Sequence, residues 1–86
     1  MCSQESFPLL RLRVVADADP SAIALIADRF RNLNFLPRRL LAEFGTDERL
    51  HIEVDVCGMP EEQLALIANK IAQSPSIHRT YWHPLF

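Results

Sequence analysis

Three histidines are the side chains of this 86-residue chain best suited to acid–base or metal chemistry. His51, His78 and His83 fall in segments with the alternating pattern of strands, where residues of like parity share a face. His78 and His83 differ by five positions, so they are expected on opposite faces of one strand. That separation disfavours a two-histidine metal site and a shared acid–base pair. We expect no metal and no other cofactor.

Phosphate-binding and nucleophilic motifs are the next chemistry to consider. Gly45 and Gly58 are the only glycines, so the chain has no Gly-rich phosphate loop. The five serines are terminal, at a helix entrance or beside a proline, and none has the strand-to-helix setting of a hydrolase nucleophile. We therefore expect no catalytic residue and a protein that acts by binding.

Length, composition and charge limit the class of protein. Eighty-six residues suffice for one core and not for two, and 49% hydrophobic with 23% charged residues is a globular composition. The formal charge of −2 disfavours nucleic acid as a partner. No apolar run approaches the ~20 residues of a membrane span, and residues 1–8 lack the order of a signal peptide. We expect a cytoplasmic protein in which Cys2 and Cys57 are reduced thiols.

The first half of the chain predicts a strand, a helix and a second strand. Residues 9–16 alternate as a half-buried strand, and residues 17–20 suit a helix entrance with Asp19 as the N-cap. This helix is expected to run to about Leu33. The second strand lies within residues 35–44 in an uncertain register, and Pro37 indicates either an edge strand or pairing that begins after it. The predicted apolar stripe of the helix is Ile23, Ile26, Ala27, Phe30 and Leu33.

The second half predicts a strand, a helix and a closing strand. Residues 50–56 alternate most cleanly and form a hairpin with the second strand through a turn at residues 45–48. A helix opens at residues 58–60, and residues 77–83 form the last strand. The order βαββαβ predicts an α+β ferredoxin-like sandwich: a four-stranded antiparallel sheet with strands one and three central and both helices on one face. The predicted stripe of the second helix is Leu64, Ile67, Ala68 and Ile71.

The open face of the predicted sheet carries charges of both signs. Arg11 and Arg13 of the first strand are expected beside Glu53 and Asp55 of the third, in cross-strand pairs. RNA-recognition domains share the βαββαβ order but stack bases on aromatic side chains of the two central strands. The charged residues leave no such platform here. A solvated, charge-paired face is the first interpretation, and a partner-docking face is the alternative.

Residues 17–23, between the first strand and the first helix, resemble the entrance motif of ACT domains, the ligand-sensing modules of amino-acid metabolism. Residues 30–35 resemble their turn into strand two, and residues 50–56 resemble their third strand. The resemblance covers Leu9 to Tyr81 and, within the family, is strongest to the short regulatory subunit of acetolactate synthase. It implies a single ACT-like domain over residues 9–86, after a frayed N-terminal extension of residues 1–8.

The resemblance also implies a ligand site at the start of the first helix. Its residues are Asp19, Pro20, Ser21, Ala22 and Ile23. ACT domains that bind an amino acid usually have a glycine after the proline, and Ser21 stands there in this chain. A side chain at that point can keep a ligand carboxylate away from the N–H groups of the helix terminus. A subunit that activates its partner without sensing a ligand is therefore a second hypothesis for the site.

Three functional hypotheses follow. The leading one is a non-catalytic regulatory module of branched-chain amino-acid biosynthesis, a homodimer that binds a larger enzyme, with acetolactate synthase as the first candidate. The second is a free-standing amino-acid-sensing ACT dimer. The third is a small dimeric barrel-type enzyme that would use Tyr81, Trp82 and the histidines around a cavity. Acylphosphatase chemistry is disfavoured, because Asp17 and Asp19 stand where its Gly-rich anion loop would lie.

Overall fold

Four strands and two helices make up the computed structural model, which describes residues 9–85. The predicted extension, residues 1–8, lies outside the described residues. In chain order the elements are β1 (Leu10–Asp17), α1 (Pro20–Asn32), β2 (Arg39–Phe44), β3 (Arg49–Val56), α2 (Glu61–Ala72) and β4 (Ile77–Pro84). The strands form one antiparallel sheet in the order β2-β3-β1-β4, so the predicted α+β ferredoxin-like fold with strands one and three central is confirmed.

The core is one apolar layer between the sheet and the two helices. Because side chains alternate along a strand, the even-numbered residues of β1 and β3 enter this layer, and most of the odd-numbered ones face away from it. The buried strand residues are Leu10, Leu12, Val14, Ala16, Leu50, Ile52, Val54 and Val56. Both helices pack on the same side of the sheet, since their buried residues belong to the same cluster. Neither helix in the described part of the chain has the length and apolarity needed to cross a membrane.

The predicted stripe is confirmed in α2 and shifted in α1. The buried residues of α2 are Leu64, Ile67, Ala68 and Ile71, as predicted. Those of α1 are Ala22, Ile26 and Phe30. Ile23 and Leu33 were expected in the core but are 37% and 45% exposed, and Ala27 is exposed as well. The small Ala22 lies against the sheet in place of Ile23, a choice that a pattern of large apolar residues does not show.

Local chemistry sets the start of α1 and the start of β2. Asp19 has an extended backbone, and its carboxylate accepts a hydrogen bond from the Ser21 N–H at 2.9 Å, so the predicted N-cap is confirmed. Asn34 follows α1 with φ of 55°, in the left-handed region that asparagine tolerates. β2 begins at Arg39, two residues after Pro37, and lies at an edge of the sheet. β2 is therefore an edge strand, and its pairing begins after Pro37, so both expectations for this proline are confirmed.

The expectation for the cysteines is wrong at one of the two positions. Cys57 directly follows β3 and is disulfide-bonded rather than reduced. Cys2 lies outside the described residues.

Two leucines of α2 test the packing of the core. Leu64 is fully buried and Leu66 is 61% exposed on the same helix. We expect Leu64→Ala to lower the free energy of unfolding by about 2 to 5 kcal/mol, because it leaves a cavity. Leu66→Ala is the matched control and should change it by no more than about 0.5 kcal/mol. Urea denaturation measures both, and equal effects of the two variants would contradict this core.

Candidate functional site

The predicted ligand segment, residues 19–23, lies at the N-terminus of α1 beside a depression of about 230 Å³. Asp19, Pro20 and Ile23 line this depression. Ser21 and Ala22 do not line it: Ser21 is exposed, and Ala22 is buried in the core. The remaining lining residues are Ala18, Phe44 and Leu50, all apolar. The fold thus brings three of the five predicted residues to one apolar hollow.

The first hydrogen-bond donors of α1 are already occupied. Pro20 has no N–H, the Ser21 N–H donates to the Asp19 carboxylate at 2.9 Å, and the Ala22 N–H donates to the Asp19 carbonyl at 3.0 Å. The hydrogen bonds from Ser21 hold the pKa of Asp19 below its ordinary value, so this carboxylate is charged at neutral pH. A ligand carboxylate at this terminus would meet a like charge and occupied donors. The hollow is better suited to an apolar side chain.

Exposed apolar residues continue from this hollow along the edge strand β2. We call them the β2 strip; they are Ile23, Leu36, Leu40 and Phe44. Leu36 is 90% and Phe44 is 76% exposed. Ile23 and Phe44 share the hollow at the start of α1, and Leu36 and Leu40 line a larger groove of about 470 Å³ near the end of α1. The strip exists because the helix side of β2 is largely uncovered. The sequence did not predict this strip, because the register of β2 was uncertain.

The open face of the sheet carries an ion-pair network of Arg11, Arg13, Arg39, Glu53 and Asp55. Arg11 is bidentate on Asp55, with distances of 2.7 and 3.1 Å between nitrogen and oxygen. Arg13 donates to Glu53 at 2.6 Å. These two cross-strand pairs are the predicted ones, and the register places their members directly opposite each other. Arg39 was not predicted in the network, but it reaches Glu53 at 3.2 Å and Asp55 at 3.4 Å.

The arginines lower the pKa of both carboxyl groups in the network. For Asp55, the hydrogen bond from Arg11 is the main cause, and it outweighs the opposing effect of burial. For Glu53, burial raises the pKa, but the hydrogen bond from Arg39 and the charges of the three arginines lower it overall. Asp55 is only 6% exposed, so its charge depends on these partners. The network is a structural feature, in which the arginines and carboxylates of the open face are paired with one another.

The three histidines do not converge on one site. His51 bonds to Asp47 at 3.0 Å in the turn before β3, and His78 bonds to Asp17 at the end of β1. His83 accepts from Arg13 at Nε2, at 3.1 Å, so Nδ1 carries the proton and donates to the Pro84 carbonyl at 2.8 Å. Each histidine therefore has a local structural partner. Among residues 9–85, no three His, Cys, Asp or Glu side chains are grouped to hold a metal ion.

The aromatic residues of β4 face opposite sides of the sheet. Tyr81 is on the open face, stacked on His83 with ring centroids 6.5 Å apart and with the Arg79 guanidinium 5.5 Å from its ring. Trp82 packs against the core. A third depression, of about 280 Å³, lies between α1 and α2 and is lined by Leu33, Leu66, Ile67 and four polar residues. Neither Tyr81, Trp82 nor any histidine lines this depression or the two beside β2.

Comparison with known proteins places the fold but not a family. No protein-family model matches the sequence, and no curated protein matches it. Among solved structures, the chain is similar to the solution structure of the C-terminal domain of the MgtC protein from Mycobacterium tuberculosis, with a TM-score of 0.76. The similarity covers 95% of this chain and 92% of that chain, at 14% sequence identity. At this identity the likeness establishes the fold alone.

The ion-pair network makes stability depend on pH. Protonation of Asp55 and Glu53 breaks their bonds to arginine, and their folded-state pKa values lie below the ordinary values of about 4. Their contribution is therefore complete at neutral pH and is lost as the pH falls below about 5 toward the lowered values. We expect the free energy of unfolding, measured in urea between neutral pH and about pH 3, to fall throughout this acid range.

A variant of Asp55 separates this network from general acid unfolding. Asp55→Asn removes one titrating group, so it should be less stable than the wild type at neutral pH and lose less stability on acidification. Asp28→Asn, which alters an exposed carboxylate paired with Arg31 on α1, is the control and should retain the wild-type slope. If the free energy of unfolding of Asp55→Asn fell with pH as steeply as that of the wild type, Asp55 would not be a source of the pH dependence.

Proposed function

We propose that this chain is a non-catalytic regulatory module that acts by binding a larger protein. The β2 strip carries the proposal, because four apolar side chains are exposed along one edge of the sheet, Leu36 at 90% and Phe44 at 76%. Exposed apolar patches of this kind mark interaction sites. The charged groups at the centre of the open face, in contrast, are paired with one another and are less available to a partner.

The partner that we propose first is the catalytic subunit of acetolactate synthase. The support is the resemblance to ACT domains at residues 17–23, 30–35 and 50–56. A module that binds one conformer of an enzyme more tightly shifts the population toward that conformer by its differential affinity. Such a module changes the rate of the enzyme without contributing a catalytic group.

A cytoplasmic location belongs to the same proposal. Its support is the proposed partner, a biosynthetic enzyme of amino-acid metabolism. The disulfide at Cys57 is the observation against it, because disulfides persist mainly in oxidising compartments. Alkylation of the protein in intact cells, followed by mass spectrometry, reports whether Cys57 is reduced there.

The regulatory proposal is tested with the acetolactate synthase large subunit encoded in the same genome. We expect the chain to bind that subunit in a pull-down and to change its activity. Phe44→Ser removes the aromatic ring of the β2 strip and should weaken binding roughly tenfold, equivalent to a loss of about 1.4 kcal/mol. Leu66→Ser is the matched control, on an exposed position of α2 outside the strip. No complex and no change in activity would remove the main support for the proposal.

An amino-acid-sensing module is the second candidate, because the apolar hollow beside Asp19 suits the side chain of an apolar amino acid. Thermal-shift measurements with each of the twenty amino acids separate it from a module that binds only protein. A ligand at 100 times its dissociation constant stabilises the fold by about 2.7 kcal/mol, which shifts the melting temperature by several degrees.

Ser21 supplies the informative variant for this second candidate. Ser21→Gly removes the side chain from the terminus of α1 and should enlarge the response to a ligand whose carboxylate approaches that terminus. Ser74→Gly, in the loop after α2, is the control for replacing a serine by glycine. Flat melting curves for the wild type and for Ser21→Gly would exclude the sensor.

A further inference from the structure

The depression between α1 and α2, which we call the interhelical depression, has two positive charges in its wall. Arg29 and Lys70 line it, together with two amide side chains and three apolar ones. Neither cation forms an ion pair with any of residues 9–85. Arg31, on the same helix as Arg29, is in contrast paired with Asp28 at 3.2 Å. None of the lining residues is acidic, so the positive charge of this wall is not balanced within it.

The guanidinium of Arg29 is partly removed from water without a compensating bond. Its Nε is buried and has no hydrogen-bond partner among residues 9–85. A buried donor without an acceptor costs free energy, and the cost is larger for a charged group than for a neutral one. Only Nε is buried in this way, so the two terminal nitrogens remain accessible to an acceptor outside the fold. A negative charge beside this guanidinium would offset part of the cost.

A carboxylate is the anionic group that suits this wall. The planar guanidinium matches a carboxylate with two parallel N–H donors, and a lysine adds a second positive charge. Backbone donors do not contribute, because the lining residues lie on the helices: the Gln63 N–H donates to the Pro60 carbonyl at 3.1 Å, and the Leu33 N–H to the Phe30 carbonyl at 3.1 Å. The lining residues thus lack the backbone N–H cradle typical of phosphate sites.

The rest of the ligand is expected to be aliphatic and small. Leu33 is 45% exposed, and it shares the wall of the depression with the buried Ile67. An aliphatic chain on this wall would remove apolar surface from water. The volume of about 280 Å³ is at the lower end of the range for small-molecule sites. An ammonium group on the ligand would meet two cations and no carboxylate, which disfavours an amino acid.

We propose that the interhelical depression binds a small aliphatic carboxylate that has no ammonium group, such as a medium-chain fatty acid. Arg29 and Lys70 hold the carboxylate, and the chain lies against Leu33 and Ile67. The depression shares no residue with the β2 strip or with the hollow beside Asp19. This binding site is therefore additional to the proposed regulatory function, and neither proposal depends on the other.

Calorimetric titration with three probes of the same chain length tests the nature of the ligand. We expect octanoate to bind, and octanamide, which has no charge, to bind more weakly by at least about tenfold. We expect 2-aminooctanoate, which adds an ammonium group to octanoate, to bind more weakly by a similar factor of about ten. Equal affinities for octanoate and octanamide would show that the apolar chain alone decides binding, and this would overturn the proposal.

Replacement of single cations tests the site itself. Arg29→Met keeps an aliphatic side chain and removes the guanidinium, so it should weaken octanoate binding by at least about tenfold. Without ligand its melting temperature should equal or exceed that of the wild type, because the buried Nε without a partner is gone. Lys70→Met, at an exposed position, should weaken binding in the same direction. Arg31→Met is the matched control: it removes the same charge from α1 outside the depression and should bind octanoate as the wild type does.

A wild type that does not bind octanoate would overturn the proposal. So would a folded Arg29→Met or Lys70→Met variant that binds octanoate with unchanged affinity, or an Arg31→Met variant that binds it as weakly as Arg29→Met does. If Arg29→Met is unfolded by circular dichroism, Lys70→Met decides. A chain that binds octanoate but not the large subunit would count only against the regulatory proposal, and the opposite result would count only against this site.

Discussion

The alternation of side chains along the two central strands is the constraint on which the rest of this structure depends. In β1 and β3 every even-numbered residue is apolar and buried, which forces nearly all of the charged residues of these strands onto one face. A shift of one residue in either strand would place arginines and carboxylates in the core. The helices can cover only the apolar side, so the other side becomes a paired, charged surface. The division of the sheet into a packed apolar face and a charged face follows from this period of two.

Sequence patterns predicted the parts of the fold in which one pattern dominates. Three large residues at helical spacing, Leu64, Ile67 and Ile71, indicated the buried side of α2, and the clean alternation of residues 50–56 indicated β3. In α1, Ala22 and Ile23 are neighbours, and either could face the core. A hydrophobic periodicity favours the larger Ile23, but the smaller Ala22 lets the helix pack closer to the sheet. The register of β2 was not predicted, because Pro37 and a run of leucines obscure the alternation of its side chains. The role of Arg39 was missed for that reason.

The candidate site was accessible from sequence only in part. Asp19 was identified as the residue that caps α1, and in the structure its carboxylate accepts a hydrogen bond from the Ser21 N–H. The β2 strip depends instead on how far an edge strand extends beyond the helix that covers it, which is a property of tertiary packing. The disulfide at Cys57 depends on the spatial arrangement of the chain and gives no local signal in the sequence.

The β4 edge has a consequence for how far the sheet can grow. The register between β1 and β4 shifts between Val15 and Ala16, so His78 is an extra residue that bends the edge, and its ring is held by Asp17. Pro84 closes the strand without an N–H group. Such irregularities are how sheet proteins resist open-ended polymerisation into fibrils. Because the β4 edge is irregular and the β2 edge is regular, further strands can be added at the β2 edge only. This favours closed assemblies over filaments.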